Sequence, residues 1–289
     1  MSDRDGRPSD PIRSADPIRD IDPTRSADSA RDIDPFLVAA SLSGAADADW
    51  ARATAPYVDA AIVGGIALDP ASRAAARDLV ARDRSEFLPE DPTAWIDRQL
   101  GRLADAPVRP GVNVRSATLD PVREAAAVCA DRGAVCEINA HCRQPELRAV
   151  GCGESLLKET DRLAAYVAAA AETGATTSVK VRAEVSGVDL VTVAEAVADA
   201  GAEWFHVDAM DSESVVAELA GRGLTVVANN GVRGRETVAE YAGHGADAIS
   251  VGRPTEHPPA LSRVADAVAA WKNGTLDGDD SGFRPEASP

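Results

Sequence analysis

Short apolar runs rich in β-branched residues recur along the chain, and Ala-rich segments separate them. Each run is continuously apolar rather than alternating, as expected of parallel strands that are buried on both faces. The segments between the runs repeat apolar residues with a helical period, as at Leu190, Val193 and Val197. The pattern therefore predicts eight strands that alternate with helices. The strands are predicted at Phe36–Ser41, Asp59–Gly64, Gly111–Arg115, Ala134–Asn139, Thr177–Arg182, Glu203–Asp208, Leu224–Asn229 and Asp247–Gly252.

Glycine residues mark the ends of five predicted helices, just before the strand that follows. Glycine after a helix adopts the left-handed conformation without steric cost and turns the chain back toward the sheet. These residues are Gly133, Gly174, Gly201, Gly223 and Gly245. A doubly wound sheet is the alternative, but the loop after the first strand (SLSGAADAD) has no G-x-G-x-x-G motif. The eight strand–helix units therefore predict an α/β fold, a (β/α)8 TIM barrel over residues 36–272.

The two ends of the chain differ in composition from the segment between them. Residues 1–35 hold a near-repeat, SADPIRDIDP followed by SADSARDIDP, with many prolines and mixed charges. A segment with so few bulky apolar residues does not bury enough surface to offset the loss of chain entropy. We therefore predict that residues 1–35 and 273–289 are disordered tails.

The chain is strongly acidic, with 47 acidic residues, 30 basic residues and a formal net charge of −17. Its only lysines are Lys158, Lys180 and Lys272, whereas Asp, Ala and Val are abundant. This composition is typical of proteins adapted to molar salt, where the Debye length is about 3 Å and a net charge repels little beyond contact. The composition therefore predicts a salt-adapted protein, and the charge alone does not decide between nucleic-acid and small-molecule partners.

The sequence carries the signs of a cytoplasmic protein. It contains no run of eighteen apolar residues and no apolar stretch near its first residue, which predicts neither a membrane span nor a secretory signal. Its cysteines, Cys129, Cys136, Cys142 and Cys152, are expected to be reduced in that compartment. Their spacing lacks the Cys-x-x-Cys pairs of common zinc sites, so we predict no metal.

Polar residues cluster where the predicted strands end. In a TIM barrel, catalytic groups come from the C-terminal ends of the strands and from the loops that follow them. This rule selects Asn139, His141 and Cys142 from strand four, Lys180 and Arg182 from strand five, His206 and Asp208 from strand six, Asn229, Asn230 and Gly231 from strand seven, and Gly252 and Arg253 from strand eight. Residues two apart on a strand point to the same side, so the pairs on strands five and six each share a side.

Four of these candidates have both a functional and a structural interpretation. Lys180 lies inside an apolar strand, where a charge is destabilising unless it is paired with an anion or acts as a base. It is either a functional lysine or a core lysine paired with Glu137 on the neighbouring strand. His206 is a ligand-binding group or a buried core histidine, and His141 is a functional group or a plain loop residue. The position of Cys142 beyond a strand end suits a proton-donating or nucleophilic thiol, with a bystander as the alternative.

The loops after the last two strands read NNGVRGRET and GRPTEH. They supply small residues, backbone N–H groups and arginines at the place where this barrel usually binds phosphate, beside a short extra helix. Ligands from sugar phosphates to flavin mononucleotide (FMN) use this place, so the loops predict a phosphate group without naming its bearer.

Taken in order, these strand ends resemble the dihydrouridine synthase family, within the larger group of flavin barrels that includes dihydroorotate dehydrogenases. The family's Asn-x-x-Cys motif and the Gly-rich loop after it are matched by EINAHCRQPELRAVGCGESLL, from Glu137 to Leu157. Its Lys-x-Arg, His, Asn-Gly and Gly-Arg motifs are matched by Lys180 and Arg182, by His206, by Asn230–Gly231 and by Gly252–Arg253. The resemblance covers about residues 36–270.

This resemblance implies FMN at the barrel mouth, with NAD(P)H as the external reductant. Lys180 would contact the electron-rich edge of the isoalloxazine ring, and Asn113 on strand three would replace the family's amide contact to the ring. The far side and the phosphate of FMN would be held by His206, Asn230, Gly231, Gly252 and Arg253. By the same resemblance, reduced flavin passes a hydride to one carbon of a uracil double bond and Cys142 protonates the neighbouring carbon. Asn139 and Arg182 would hold the pyrimidine edge.

Three classes of function stay open. The first is a flavin-dependent reductase of uracil, acting either on tRNA or on a small free pyrimidine, because the family's helical tRNA-gripping domain and a basic stripe have no counterpart in this sequence. The second is a flavin-free barrel lyase or synthase that uses Lys180 as a Schiff base on a sugar phosphate. The third is a barrel that only binds a partner. Flavin absorbance of the purified protein distinguishes the first class from the others.

Overall fold

All eight predicted apolar runs form strands in the computed structural model, which describes residues 34–276. The strands are β1 (Phe36–Ala39), β2 (Ala60–Ala67), β3 (Arg109–Arg115), β4 (Val135–Asn139), β5 (Thr176–Arg182), β6 (Trp204–Asp208), β7 (Thr225–Asn229) and β8 (Ala248–Val251). They are parallel and pair in chain order, and β8 closes the barrel against β1, with Ala39 opposite Val251. The prediction of a (β/α)8 TIM barrel is confirmed.

Helices cover the outside of the barrel. They are α1 (Ala48–Thr54), α2 (Pro70–Val80), α3 (Pro92–Gly101), α4 (Asp120–Asp131), α5 (Pro145–Ala149), α6 (Glu154–Leu157), α7 (Thr160–Ala171), α8 (Leu190–Asp199), α9 (Val215–Leu219), α10 (Arg235–Gly243) and α11 (Pro258–Lys272), with one 3-10 helix at Arg253–Glu256. The side chains of Asp47, Asp69, Asp91 and Asp189 accept backbone N–H groups at the starts of α1, α2, α3 and α8. Part of the abundant aspartate is therefore used to begin helices, because these side chains satisfy N–H groups that lack a partner within the helix.

The glycines predicted to end helices take positive φ angles, as expected. Gly201 (φ +97°) and Gly245 (φ +85°) are the most restricted, because an added Cβ would lie 2.9 Å from the Cβ of Ala171 and of Ala220, respectively. Gly223 was predicted to end a helix, but α9 already ends at Leu219. Gly223 therefore lies in the turn before β7.

Strand β2 is longer than the sequence predicts. It continues past Gly64 to Ala67, and its register against β3 shifts between Gly64 and Ile66. Gly64 has φ +95°, and an added Cβ there would lie 2.7 Å from the backbone oxygen of Asn113. This irregular pairing needs a glycine at position 64. Gly64 therefore does not end the strand, as predicted, but marks a close approach of β2 and β3.

The inside of the barrel is layered from bottom to top. Its lower layer, near the N-terminal ends of the strands, is an apolar cluster formed by Val38, Ala60, Ile62, Val135, Trp204, Val227 and Ala248, with Phe36 packed against it. Above this layer the inward side chains become polar, beginning with Asn113, Glu137 and His206. Side chains of the opposite parity, such as Ile138, Phe205 and Ile249, face the helices in the larger apolar core. The fold therefore supports polar groups on an apolar floor, below the C-terminal mouth.

Two predictions concern the ends of the chain and the membrane. Residues 1–33 and 277–289 lie outside the described residues, so the disordered tails and their boundaries stay predictions. Leu276 is buried against the apolar core, four residues after α11 ends. In the described segment, no helix has the length and apolar character needed to cross a membrane.

Candidate active site

A chain of buried polar side chains crosses the barrel below its mouth. Asn139 Nδ2 donates to Asn113 Oδ1 (2.9 Å), and Asn113 Nδ2 donates to Glu137 Oε1 (2.8 Å). The other carboxylate oxygen of Glu137 lies 2.6 Å from His206 Nδ1, and His206 Nε2 lies 2.6 Å from Ser250 Oγ. These contacts link β3, β4, β6 and β8, so one connected network fixes the depth and orientation of each side chain.

Burial and charge set the protonation of this network. Burial would raise the pKa of the Glu137 carboxyl, but the interactions with His206, Lys180 and Asn113 outweigh it and lower that pKa to about 2. Burial is also the main effect that lowers the pKa of His206. At neutral pH the network therefore contains a carboxylate and a neutral imidazole, in which Nδ1–H donates to Glu137 and Nε2 accepts from Ser250.

The structure places Asn113 and His206 in the polar network below the mouth. Both were expected to contact the cofactor, but Asn113 is 0% exposed and His206 is 1% exposed, and neither lines either of the two cavities described below. Their polar atoms are used by the network, so both residues support the site from below, and a direct contact with a cofactor stays a prediction. His206 follows the interpretation as a core histidine.

Two cavities open above the network and meet at a shared wall. The smaller cavity, of about 220 Å³, lies toward β3 and the loop after β4. The larger cavity, of about 570 Å³, lies toward the loops after β7 and β8 and has the size of a typical small-molecule site. Ser41, His141 and Lys180 line both cavities. A ligand in one cavity would therefore be in reach of a ligand in the other.

Lys180 lies at this shared wall and is 6% exposed. Within the described part of the chain, its amino group forms no ion pair or hydrogen bond, because Glu137 is already bound by Asn113, Ser178 and His206. Burial lowers its pKa, partly offset by the charges of Glu137 and Asp208. The predicted alternative of a direct Lys180–Glu137 ion pair is therefore wrong, and a buried amine remains for a ligand.

His141 and Asp208 form a hydrogen-bonded pair at the mouth. His141 Nε2 lies 2.7 Å from Asp208 Oδ2, and Asn230 Nδ2 donates to Asp208 Oδ1 at 2.8 Å. Burial would raise the pKa of Asp208, but these hydrogen bonds hold it below its usual range. Burial lowers the pKa of His141. The sequence did not decide whether His141 is a functional group or a plain loop residue. The sequence also did not predict its contact with Asp208, and indicated only that Asp208 shares a side of β6 with His206.

Cys142 lines the smaller cavity on a loop that is held from two sides. Its N–H and that of His141 donate to Asn139 Oδ1, at 3.0 and 3.2 Å. Its carbonyl accepts from the N–H of Glu154 at 3.0 Å. Gly153 (φ +59°) packs so closely that an added Cβ would lie 2.2 Å from that carbonyl oxygen. Asn139 also lines this cavity, but its side chain is used to position the thiol loop.

A buried ion pair that the sequence did not suggest lies in the same cavity. Arg115 Nη2 is 2.9 Å from Glu86 Oε2, with the two side chains 1% and 3% exposed. The same nitrogen donates to Ser43 Oγ at 2.7 Å and to the backbone oxygen of Gly65 at 2.8 Å. Arg115 ends β3, and the rule of strand ends could have selected it. Glu86 comes from the loop after α2, which only tertiary contacts bring here.

The larger cavity contains most of the residues predicted to hold FMN. Asn230, Gly231, Gly252 and Arg253 line it, together with Arg233 and His257. Gly231 has φ +67°, and the nearest atom to an added Cβ would be a Glu213 oxygen at 3.9 Å, so the space beside its backbone is open. The N–H of Gly231 donates to Asn230 Oδ1, and a ligand at that N–H would have to replace this bond.

Arg182, predicted to hold the pyrimidine, lies outside the lining of both cavities. Its Nε is 3.7 Å from Glu154 Oε1, so the guanidinium is paired with a carboxylate of α6. Cys129, Cys136 and Cys152 are buried, and Cys142 is partly exposed. Among residues 34–276, no three His, Cys, Asp or Glu side chains are grouped as a metal site.

Comparison with known proteins supports the barrel fold but does not identify the reaction. No protein-family model matches this chain. An uncharacterized protein of Methanocaldococcus jannaschii is 30% identical over 133 residues, which are 45% of this chain and 52% of that protein, so the chain spans about half the length of this relative. The structure of DHODH in complex with ferulenol from Eimeria tenella is 15% identical, with a TM-score of 0.58 over 86% of this chain and 85% of that chain. The structure of 3-hexulose-6-phosphate synthase from Salmonella typhimurium is 14% identical, with a TM-score of 0.53 over 83% of this chain and 99% of that chain. At these identities the structural similarities show the barrel fold alone.

Proposed function

We propose that this protein is an FMN-dependent oxidoreductase that reduces the carbon–carbon double bond of a uracil ring. The observation that carries the proposal is the meeting of the two cavities at Lys180 and His141, with Cys142 in the smaller one. A cofactor in the larger cavity and a substrate in the smaller one would touch at this wall. Reduction across two bound molecules needs that arrangement.

The residues of the larger cavity fit FMN. Its one carboxylate, Asp208, is held by His141 and Asn230, whereas Arg233 and Arg253 line the rim. The two arginines are not neutralised by the carboxylate, so the charge at the loops after β7 and β8 favours binding of a phosphate there. Lys180 at the other end would donate to the ring edge that becomes electron-rich on reduction, and a buried cation is most effective where water is excluded.

The side chains of this chain then have distinct tasks. The chemistry that FMN supplies when bound is delivery of a hydride to one carbon of the double bond, with NAD(P)H as the external reductant. The Cys142 thiol donates the proton that the neighbouring carbon needs, so the two additions together complete the saturated bond. Asn139 and Gly153 hold the thiol loop in place, and the network through Glu137 supports Lys180 from below. Water would reprotonate Cys142 after each turnover.

Acid extraction of the purified protein tests the cofactor. We expect the supernatant to contain FMN, identified by chromatography against FMN and the adenine dinucleotide. Recovery of the dinucleotide, or of no flavin after reconstitution, would contradict the proposal. With the flavin identified, NAD(P)H oxidation that depends on uracil, uridine or tRNA tests the reaction and separates a free pyrimidine from an RNA substrate.

A second candidate uses Lys180 differently. Burial lowers the pKa of Lys180 and its amine has no partner in the described segment, as a Schiff-base lysine requires. Such a barrel would act on a sugar phosphate held by the β7 and β8 loops. Borohydride added with a sugar phosphate should then attach the sugar to Lys180, which mass spectrometry of the digested protein detects. No adduct together with bound FMN would exclude this candidate.

A further inference from the structure

The smaller cavity is lined by a buried guanidinium that uses only one of its three nitrogens in hydrogen bonds. Arg115 is 2% exposed, and its Nη2 carries the contacts to Glu86, Ser43 and Gly65. Its Nε and Nη1 are buried and have no hydrogen-bond partner among the described residues. Buried polar groups in folded proteins are almost always satisfied, so two orphaned nitrogens on a guanidinium that lines a cavity point to a ligand.

The position of this guanidinium is built into the fold. An added Cβ at Gly65 would lie 2.7 Å from Arg115 Nη2 and 2.8 Å from its Nε, so only glycine leaves room for the group. Glu86 and Ser43 fix the other edge from two separate loops. The fold therefore holds the unused nitrogens in one place before any ligand binds.

The surrounding charge is opposite to that of the whole protein. Arg84, Arg143 and Lys180 line the same cavity, and the one carboxylate there, Glu86, is already paired with Arg115. The chain as a whole has a net charge of −17. A cluster of four cationic side chains in so acidic a protein favours a negatively charged ligand at this place.

We infer that the substrate carries an anionic group of its own, a carboxylate or a phosphate, that Arg115 binds in the smaller cavity beside Cys142. The fork of a guanidinium matches both groups, since each presents two oxygens to two N–H donors. Anchoring at Arg115 would place the rest of the substrate between Cys142 and the shared wall at Lys180. The inference rests on the proposed reduction for the identity of the ring, but not for the binding of the anion.

Calorimetric titration of the purified protein tests the inference at a fixed chloride concentration. The probes are uracil-5-carboxylate, uracil-6-carboxylate and uridine 5′-monophosphate, with uncharged uracil and uridine as their controls. We expect at least one anionic probe to bind about 10- to 100-fold more tightly than its control, as loss of charge-assisted hydrogen bonds implies. The carboxylate probes and the monophosphate distinguish the two sources of the charge.

Variants assign the preference to Arg115. Arg115→Gln should reduce it to less than about twofold, whereas Arg132→Gln, which removes an exposed arginine paired with Asp97, should leave it unchanged. Because Arg115→Gln leaves Glu86 buried without its partner, the double variant Glu86→Gln/Arg115→Gln provides a neutral version of the site. Circular dichroism checks that it is folded.

Equal binding of charged and uncharged probes by the wild-type protein would overturn the inference, and so would a preference retained by the folded double variant. The flavin content of the same samples separates this result from the proposed function. Anion preference without FMN would contradict the proposed reduction alone. FMN without anion preference would contradict the inference alone.

Discussion

His141 Nε2 lies 2.7 Å from Asp208 Oδ2 at the wall that the two cavities share. Burial keeps the imidazole neutral, and the carboxylate fixes its tautomer with the proton on Nε2. The Nδ1 atom is then the lone-pair acceptor of this ring. The pair therefore sets which atom His141 can offer to a ligand at the wall.

We expect His141 to titrate below the ordinary histidine pKa of about 6.5, because burial is the main effect on it. Asp208→Asn should lower this pKa further, since the aspartate hydrogen bond and charge are the effects that raise it. Proton NMR of the imidazole C–H signals measures both values, and the chain has only four histidines to resolve. An unchanged or higher value in the variant would contradict this account of the pair.

Lys180→Met should weaken FMN binding or slow flavin reduction while leaving the barrel folded. Its amine forms no ion pair among the described residues, so its removal leaves Glu137 with its contacts to Asn113, Ser178 and His206. Thermal melts in high salt should therefore be similar to those of Lys158→Met, which changes an exposed lysine. A loss of about 3–5 kcal/mol in stability, typical of a broken buried ion pair, would favour a structural role.

Cys142→Ala should leave flavin binding and reduction nearly intact but slow flavin reoxidation by a uracil substrate by about 10²- to 10⁴-fold, the usual contribution of a positioned general acid. Cys152→Ala is the matched control. Burial raises the pKa of Cys152 to about 12, and the residue is 1% exposed in an apolar cluster. Rapid mixing of reduced protein with substrate compares the two variants. Equal slowing in both would indicate a shared redox pair, and an unchanged rate in Cys142→Ala would remove it from the mechanism.

The stability of the barrel should fall as the pH decreases from about 4.5 to about 2. The pKa of Glu137 is lowered from 4.5 to about 2 in the folded state, so the unfolded chain binds this proton first. The stabilisation is fully present above pH 4.5 and is lost as the pH falls through this window. Urea unfolding at successive pH values measures it. Glu137→Gln should lose less stability than wild type across the window, whereas Glu159→Gln, at an exposed ion pair, should follow the wild type.

The sequence by itself determined the barrel and the ends of the strands where ligands would lie. Continuous apolar runs cannot form half-exposed strands, and the glycines between them set where each helix turns back, so local pattern was enough for the fold. The same pattern selected Cys142, Lys180, Gly231 and Gly252, all of which line the cavities.

Only the tertiary structure decided which polar side chains reach the mouth. Lys180 and His206 are neighbours in the register of β5 and β6, yet the long amine reaches the shared wall and the shorter imidazole stays in the network below. The position of the Arg115 guanidinium depends on the space beside Gly65 and on the ion pair with Glu86, and both residues are far from Arg115 in the sequence. Depth in a barrel follows from the stagger of eight strands and from the reach of each side chain, and neither quantity is contained in a local run of residues.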